Sequence, residues 1–156
     1  MALRIQAAMA PATSRSSQVT GSPVLVSMNG LVGKITKATS THSRVQLLVD
    51  PNLKLSVLEK KSRVVGFLES VDGHLLTAMI PSHAGVEVGD TLITSGLGGI
   101  FPKGIPVGTV KAVRKSDLDV MRQMDVAPFQ EFSALEEVFV MEKEPEWIIQ
   151  ELLDEQ

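Results

Sequence analysis

The chain of 156 residues contains no cysteine and no tyrosine, and its single tryptophan is Trp147. Without cysteine it can form no disulfide, no thiol nucleophile and no cysteine-ligated metal site. Aromatic residues make up 4%, so stacking platforms for single-stranded nucleic acid are scarce. The formal net charge of −3 gives no overall attraction to nucleic acid. No run approaches the ~20 apolar residues that a membrane-spanning helix needs. What remains is a chain with 44% hydrophobic residues, enough for an aliphatic core.

The two ends of the chain differ in composition from the middle. Residues 1–21 carry two arginines, many alanines and serines and no acid, which predicts either a transit peptide or a disordered remnant segment. Residues 142–156 carry six acids against Lys143. The sequence after Pro145 has early acids and apolar residues on one side, which predicts an acidic tail that forms a short helix or stays disordered.

Between these ends the sequence reads as about ten short β-type runs at roughly ten-residue spacing. Turn signals such as Asp50-Pro51 and Gly89-Asp90 separate the runs. This pattern predicts an all-β barrel or sandwich. Glycines also recur inside the runs, where they mark bulges or tight barrel corners and favour small, strongly bent barrels; they are Gly30, Gly33, Gly66 and Gly108.

The segment after the run 91–94 is rich in glycine and contains one proline. A helix is excluded there, because glycine loses the most backbone freedom in a helix and proline lacks the N–H. We therefore predict a sharply turning loop between two strands, shaped by Gly96, Gly98, Gly99, Pro102 and Gly104.

Two functions other than a purely structural one are open to this sequence. The order His42, Asp72, Ser95 copies that of a chymotrypsin-type triad, so a cryptic serine hydrolase with Ser95 as nucleophile is one alternative. The serine lacks a Gly-x-Ser-x-Gly context, and we interpret it as a turn residue.

A small-ligand-binding barrel is the other alternative. The glycine loop cannot lead into a P-loop helix because Pro102 follows, and the histidines lack metal-ligand spacing. The sequence thus predicts no catalytic residue, metal or cofactor.

Apolar strands with an exposed edge could pair with other proteins. The runs 64–68 and 138–141 are the two candidates, although either one taken singly is more often a central strand.

Four ordered blocks resemble the MreC family of bacterial rod-shape-determining proteins. They are residues 29–35 (NGLVGKI), 43–51 (SRVQLLVDP), 88–108 (VGDTLITSGLGGIFPKGIPVG), and 126–128 with 132–138. The resemblance covers about residues 21–141. It implies small six-stranded β-barrels that are similar to chymotrypsin barrels but lack catalytic residues, one of them incomplete here. A second barrel (30–111) would be inserted into a first (22–29 and 112–141).

The resemblance also implies a function. Family members are non-enzymatic scaffolds of the cell-elongation complex on the extracytoplasmic, periplasmic side of the cytoplasmic membrane. They link cytoskeletal MreB and membrane-bound MreD to peptidoglycan synthesis by a penicillin-binding transpeptidase and RodA, and they self-associate into dimers or filaments. The family's membrane anchor and coiled coil have no counterpart here, which predicts a fragment or a shortened relative. The structural motif residues would be Gly30, Gly33, Asp50, Pro51, Gly89, Asp90, Ser95, Gly96, Gly98, Gly99, Pro102, Gly104 and Gly108.

Overall fold

A computed structural model describes residues 22–114 and 120–141. All ten predicted strands are present, and the fold is nearly all β. The strands are β1 (Val24–Val26), β2 (Leu31–Ala38), β3 (Ser43–Leu47), β4 (Lys54–Glu59), β5 (Val65–Ser70), β6 (Leu76–Pro81), β7 (Thr91–Thr94), β8 (Pro106–Arg114), β9 (Met121–Pro128) and β10 (Phe139–Met141). Two 3-10 turns, Ser82–Ala84 and Phe132–Ala134, complete the described elements.

The strands form two sheets. Six of them close into a barrel in the order β4-β5-β6-β9-β8-β7, and the other four form an open sheet in the order β10-β1-β2-β3. Every pairing is antiparallel. The prediction of a six-stranded barrel beside an incomplete second unit is thereby confirmed at the level of fold class.

The boundaries between the two units differ from those predicted. The strands β2 and β3, expected in the inserted barrel, pair with β1 in the open sheet. The strand β9, expected outside, pairs with β6 and β8 and closes the barrel. The barrel is therefore the continuous stretch from β4 to β9, inserted between β3 and β10. This division depends on strand pairing. The sequence of each β-type run does not show which other strand will be its neighbour.

One hydrophobic core joins the sheet to the barrel. Val24 and Leu31 of the sheet belong to the same buried cluster as Val57, Leu92 and Val110 of the barrel. Along β5 the side chains alternate, with Leu68 buried and Phe67 exposed, as expected for a strand with one face on the core. The two units thus bury apolar surface together, which favours a fixed arrangement.

The glycines inside strands lie where backbones approach closely. A Cβ atom on Gly33 would lie 2.1 Å from the Gln46 carbonyl oxygen, and one on Gly108 would lie 2.3 Å from that of Ala127. Register shifts interrupt the β7–β8 and β8–β9 pairings. Pro106 lies beside the first of them, where a proline is tolerated because it has no N–H to contribute to the ladder. Gly108 and Pro106 lie in the barrel, whereas Gly33 lies in β2 of the open sheet. The predictions for residues 1–21 and for a helix in 142–156 lie outside the described residues.

Candidate interaction surface

The outer strand β10 leaves apolar side chains on the surface. Phe139, Val140 and Met141 are all exposed, by 51%, 39% and 37%. Among the described strands β10 pairs only with β1, so its second edge offers backbone donors and acceptors that another strand could use. The other candidate edge, 64–68, lies in β5 between β4 and β6 and is a central strand.

A shallow apolar groove opens beside the end of β10. Its volume is about 380 Å³. One wall is the β1–β2 turn with Met28, the other is the end of the glycine loop with Ile105, and Met141 of β10 completes it. Lys103 is the only charged side chain among the lining residues Val26, Ser27, Met28, Gly30, Pro102, Lys103, Gly104, Ile105, Pro106 and Met141.

The glycine loop between β7 and β8 is held at its base by the buried side chain of Thr94. The Thr94 Oγ1 atom donates to the Pro102 carbonyl over 2.5 Å and accepts from the Ile105 N–H over 2.9 Å. The Thr94 carbonyl accepts from the Gly104 N–H over 2.9 Å. Phe101 is buried under the loop. Thr94 is fully buried, so its hydroxyl needs protein partners. Its hydrogen bonds hold the end of the glycine loop, which forms one wall of the groove.

The glycines of the loop adopt backbone conformations that other residues avoid. Gly96, Gly98, Gly99 and Gly104 have φ of 82°, 85°, 68° and 95°, in the left-handed region that glycine enters without a Cβ penalty. The loop turns sharply as predicted, and its tip exposes Leu97 by 62%.

Ser95 contacts the barrel instead of an imidazole. Its Oγ atom donates to Ser56 Oγ over 2.8 Å and accepts from the Leu97 N–H over 3.1 Å. His42 lies in an exposed turn, where its Nδ1 bonds to Thr41 over 2.8 Å. The Asp72 carboxylate accepts from the backbone of its own turn, and these bonds lower the Asp72 pKa. The geometry therefore gives Ser95 a structural role and does not assemble the hydrolase triad.

The β1–β2 turn is packed directly on the barrel at the groove. Gly30 has φ of 145°, and a Cβ placed on it would lie 2.4 Å from the Pro106 carbonyl oxygen. On the other side of the turn, Ser27 Oγ donates to Oε1 of the buried Gln130 side chain. The Gln130 Nε2 atom donates to the Glu131 carbonyl over 2.8 Å. These contacts position both walls of the groove relative to each other.

A charged cluster stabilises the turn that precedes β7. Asp90 accepts from Lys61 Nζ and from the Glu87 N–H, each over 2.8 Å, and the hydrogen bond from Lys61 is the main reason that the Asp90 pKa is lowered. Burial raises the pKa of Glu59, but hydrogen bonds from the Lys61 and Ser62 N–H groups outweigh it and leave that pKa lowered. Gly89 is at positive φ in the same turn.

The turn with Asp50 and Pro51 connects the two units. Asp50 Oδ1 accepts from the Asn52 N–H over 2.7 Å, and the Asp50 carbonyl accepts from the Leu53 N–H over 2.9 Å. This Asx turn carries the chain from β3 of the open sheet into β4 of the barrel. The motif residues are therefore spread over turns and strands of both units, and three of them, Gly30, Pro102 and Gly104, line the groove.

No ligand site of another kind emerges from the described part of the chain. In residues 22–114 and 120–141, no group of three or more His, Asp or Glu side chains is placed to hold a metal ion. In the same residues, no helix has the length and apolar character needed to cross a membrane.

Comparison with known proteins decides the family. The family model described as "Rod shape-determining protein MreC, barrel core" matches residues 13–142. The chain belongs to the MreC family. The cell shape-determining protein MreC of Escherichia coli is 37% identical over 108 residues, which cover 68% of this chain and 28% of that protein.

Solved MreC structures share the fold. The crystal structure of MreC from Pseudomonas aeruginosa superposes with a TM-score of 0.70 at 25% identity, covering 78% of this chain and 79% of that one. MreC in a complex from Helicobacter pylori superposes with a TM-score of 0.64 at 24% identity, covering 81% and 80%. The chain spans about a quarter to two fifths of the full-length MreC relatives from E. coli and Listeria monocytogenes, 28% and 42%.

The sequence did not predict the groove or the residues that support it. Gln130 and Thr94 are ordinary polar residues in the printed sequence, and only their burial and partners distinguish them. Gly30 and Pro106 lie in two of the blocks that indicated the MreC family. The contact between these two residues, however, is visible only in the folded structure.

Proposed function

We propose that this chain is part of a non-enzymatic scaffold of the bacterial cell-elongation complex, and that it maintains cell shape by holding partner proteins. The observation that carries the proposal is MreC family membership together with an exposed apolar outer strand, β10. Apolar surface beside unpaired backbone groups is typical of protein interaction sites.

The relatives support this function. Those matched in E. coli and Haemophilus influenzae are both named cell shape-determining proteins. The H. pylori relative was solved in a complex with a penicillin-binding protein, PBP2. We therefore propose a penicillin-binding transpeptidase as one partner of this chain.

The mechanism we propose is strand addition on β10. A partner strand that pairs with the outer edge of β10 would gain main-chain hydrogen bonds, while Phe139 and Met141 would contact its side chains. The barrel contributes rigidity, because the contacts at Gly30 and Gln130 hold the open sheet against it. The motif residues act in this proposal as structural turn residues and carry no chemistry.

Family membership also supports a proposal on location and further partners. Relatives of similar fold are described as the major periplasmic domain of MreC, which supports a place on the extracytoplasmic side. We extend the proposal to MreD, RodA and, indirectly, MreB as partners within the same complex, and to self-association of the chain.

A binding experiment tests the proposal. The chain would be immobilised and titrated with the extracytoplasmic part of the penicillin-binding transpeptidase from the same bacterium. We expect Val140→Lys to weaken binding at least tenfold, because a charge in the centre of β10 opposes pairing. Phe67→Lys is the matched control, since Phe67 is also exposed, by 64%, but lies in the central strand β5. No binding by the unmodified chain, or equal losses in both variants, would contradict the proposal.

A further inference from the structure

Two methionine side chains from different elements line the groove beside β10. Met28 lies in the β1–β2 turn and is 87% exposed, and Met141 ends β10 and is 37% exposed. We propose that these two side chains form a paired oxidation site, at which a peroxide produces methionine sulfoxides and converts the groove from an apolar to a polar surface.

The sulfur chemistry of this chain is confined to methionine. The chain has seven methionines and no cysteine, so no thiol is present to react first with an oxidant. Among the described methionines, Met124 is 1% exposed in the barrel core, and Met79 and Met121 are half-buried. A peroxide must reach the sulfur to oxidise it, so exposure favours Met28 and Met141 over the others.

The reaction needs only a peroxide, such as hydrogen peroxide. A lone pair of the methionine sulfur attacks one peroxide oxygen, the O–O bond breaks, and a sulfur–oxygen bond forms. The sulfur is oxidised, and the other peroxide oxygen is reduced and leaves with both protons as water. The product is a polar, chiral sulfoxide that methionine sulfoxide reductases convert back to methionine.

A sulfoxide changes the groove because most of the lining is apolar. Met28 is held at the rim, since its turn is packed on the barrel where Gly30 approaches Pro106. Ile105 lies in the opposite wall. Burying a polar oxygen against such a lining costs free energy unless the oxygen finds a hydrogen-bond donor. Apolar ligands therefore lose affinity for the oxidised groove.

Met141 connects the oxidation site to the exposed edge of the open sheet. Its side chain is one of those that the proposed function assigns to contact with a partner strand, so a sulfoxide there would also weaken strand addition on β10. This consequence rests on the proposed function, whereas the oxidation of the groove does not.

Limited treatment of the full chain with hydrogen peroxide, followed by peptide mapping with mass spectrometry, tests the order of oxidation. We expect Met28 and Met141 to be oxidised at least about tenfold faster than Met124, which is the internal control for a buried sulfur. Met1 and Met9 lie outside the described residues, and the peptide map resolves them separately. A rate at Met28 or Met141 no greater than that at Met124 would overturn the proposal.

The dye anilinonaphthalene sulfonate tests the polarity of the groove, because its rings bind apolar surface and its sulfonate is complementary to Lys103 in the lining. We expect the untreated chain to bind the dye, and peroxide treatment to reduce the dye fluorescence to at most about half. In the double variant Met28→Leu, Met141→Leu, which keeps the apolar volume, the same treatment should leave the fluorescence unchanged. The melting curve of this variant should match that of the unmodified chain.

Met121→Leu is the matched control. Met121 is half-buried and is not a groove residue, so this variant should lose dye fluorescence on oxidation as the unmodified chain does. Absence of dye binding by the untreated chain would refute the groove as an apolar site. An equal loss in the double leucine variant would assign the change to other methionines and also refute the proposal. Neither measurement needs a partner protein, so the oxidation site stands or fails separately from the proposed scaffold function.

Discussion

Replacing Gly30 by alanine tests whether the close packing of the β1–β2 turn on the barrel stabilises the protein. Gly30 has φ of 145°, and an added Cβ would lie 2.4 Å from the Pro106 carbonyl oxygen. Backbone strain of this kind costs roughly 1–3 kcal/mol, and crowding in a packed region costs roughly 1–3 kcal/mol more. We expect Gly30→Ala to lower the free energy of unfolding by about 2–6 kcal/mol, a large part of the ~5–15 kcal/mol typical of a domain.

Gly98→Ala is the control that separates the two contributions. Gly98 also has positive φ, of 85°, but an added Cβ would meet nothing within 4 Å. Only the backbone penalty of about 1–2 kcal/mol should remain. Urea denaturation of both variants, followed by circular dichroism, measures the difference. Equal losses of stability in the two variants would refute the close approach of Gly30 to Pro106 as a source of rigidity.

Two further predictions concern the support of the groove and of the charged turn. Thr94→Val removes the hydroxyl that pairs Pro102 and Ile105, so it should lower the free energy of unfolding by about 2–3 kcal/mol; an unchanged urea midpoint would contradict this. The pKa values of Glu59 and Asp90 are lowered on folding from 4.5 and 3.8. The stabilisation they give is therefore complete above those values and is lost as the pH falls through the lower folded values. The urea concentration at the unfolding midpoint should therefore decrease when the pH is lowered below about 4. The decrease should be smaller in Asp90→Asn, and identical pH profiles for this variant and the unmodified chain would contradict the assignment.

The architecture gives the proposed docking strand β10 a rigid base. The barrel is inserted between β3 and β10, and the two units share one core. The outer strand β10 is short, and it is supported on its inner side by β1, whose Val24 and Leu25 are buried. An exposed edge on a rigid base loses little conformational freedom when a partner binds, which is the property that a docking surface needs.

Local features were predictable from the sequence because their causes are local. Short apolar runs bounded by turn residues predict strands, and glycine together with proline predicts a turn. The ten strands and the glycine loop follow from such causes.

The all-β class, the positions of the strands and the family were predictable from the printed residues alone, because periodicity, turn chemistry and ordered blocks are local features of the chain. Which strands are neighbours depends on how the chain folds back on itself, and this places β2 and β3 in the open sheet and β9 in the barrel. The fold also brought Gly30 against Pro106 and Ser27 against Gln130, and placed Met141 at the groove. These contacts join residues about 75 to 115 positions apart, and they depend on how the two units pack, which no local pattern records.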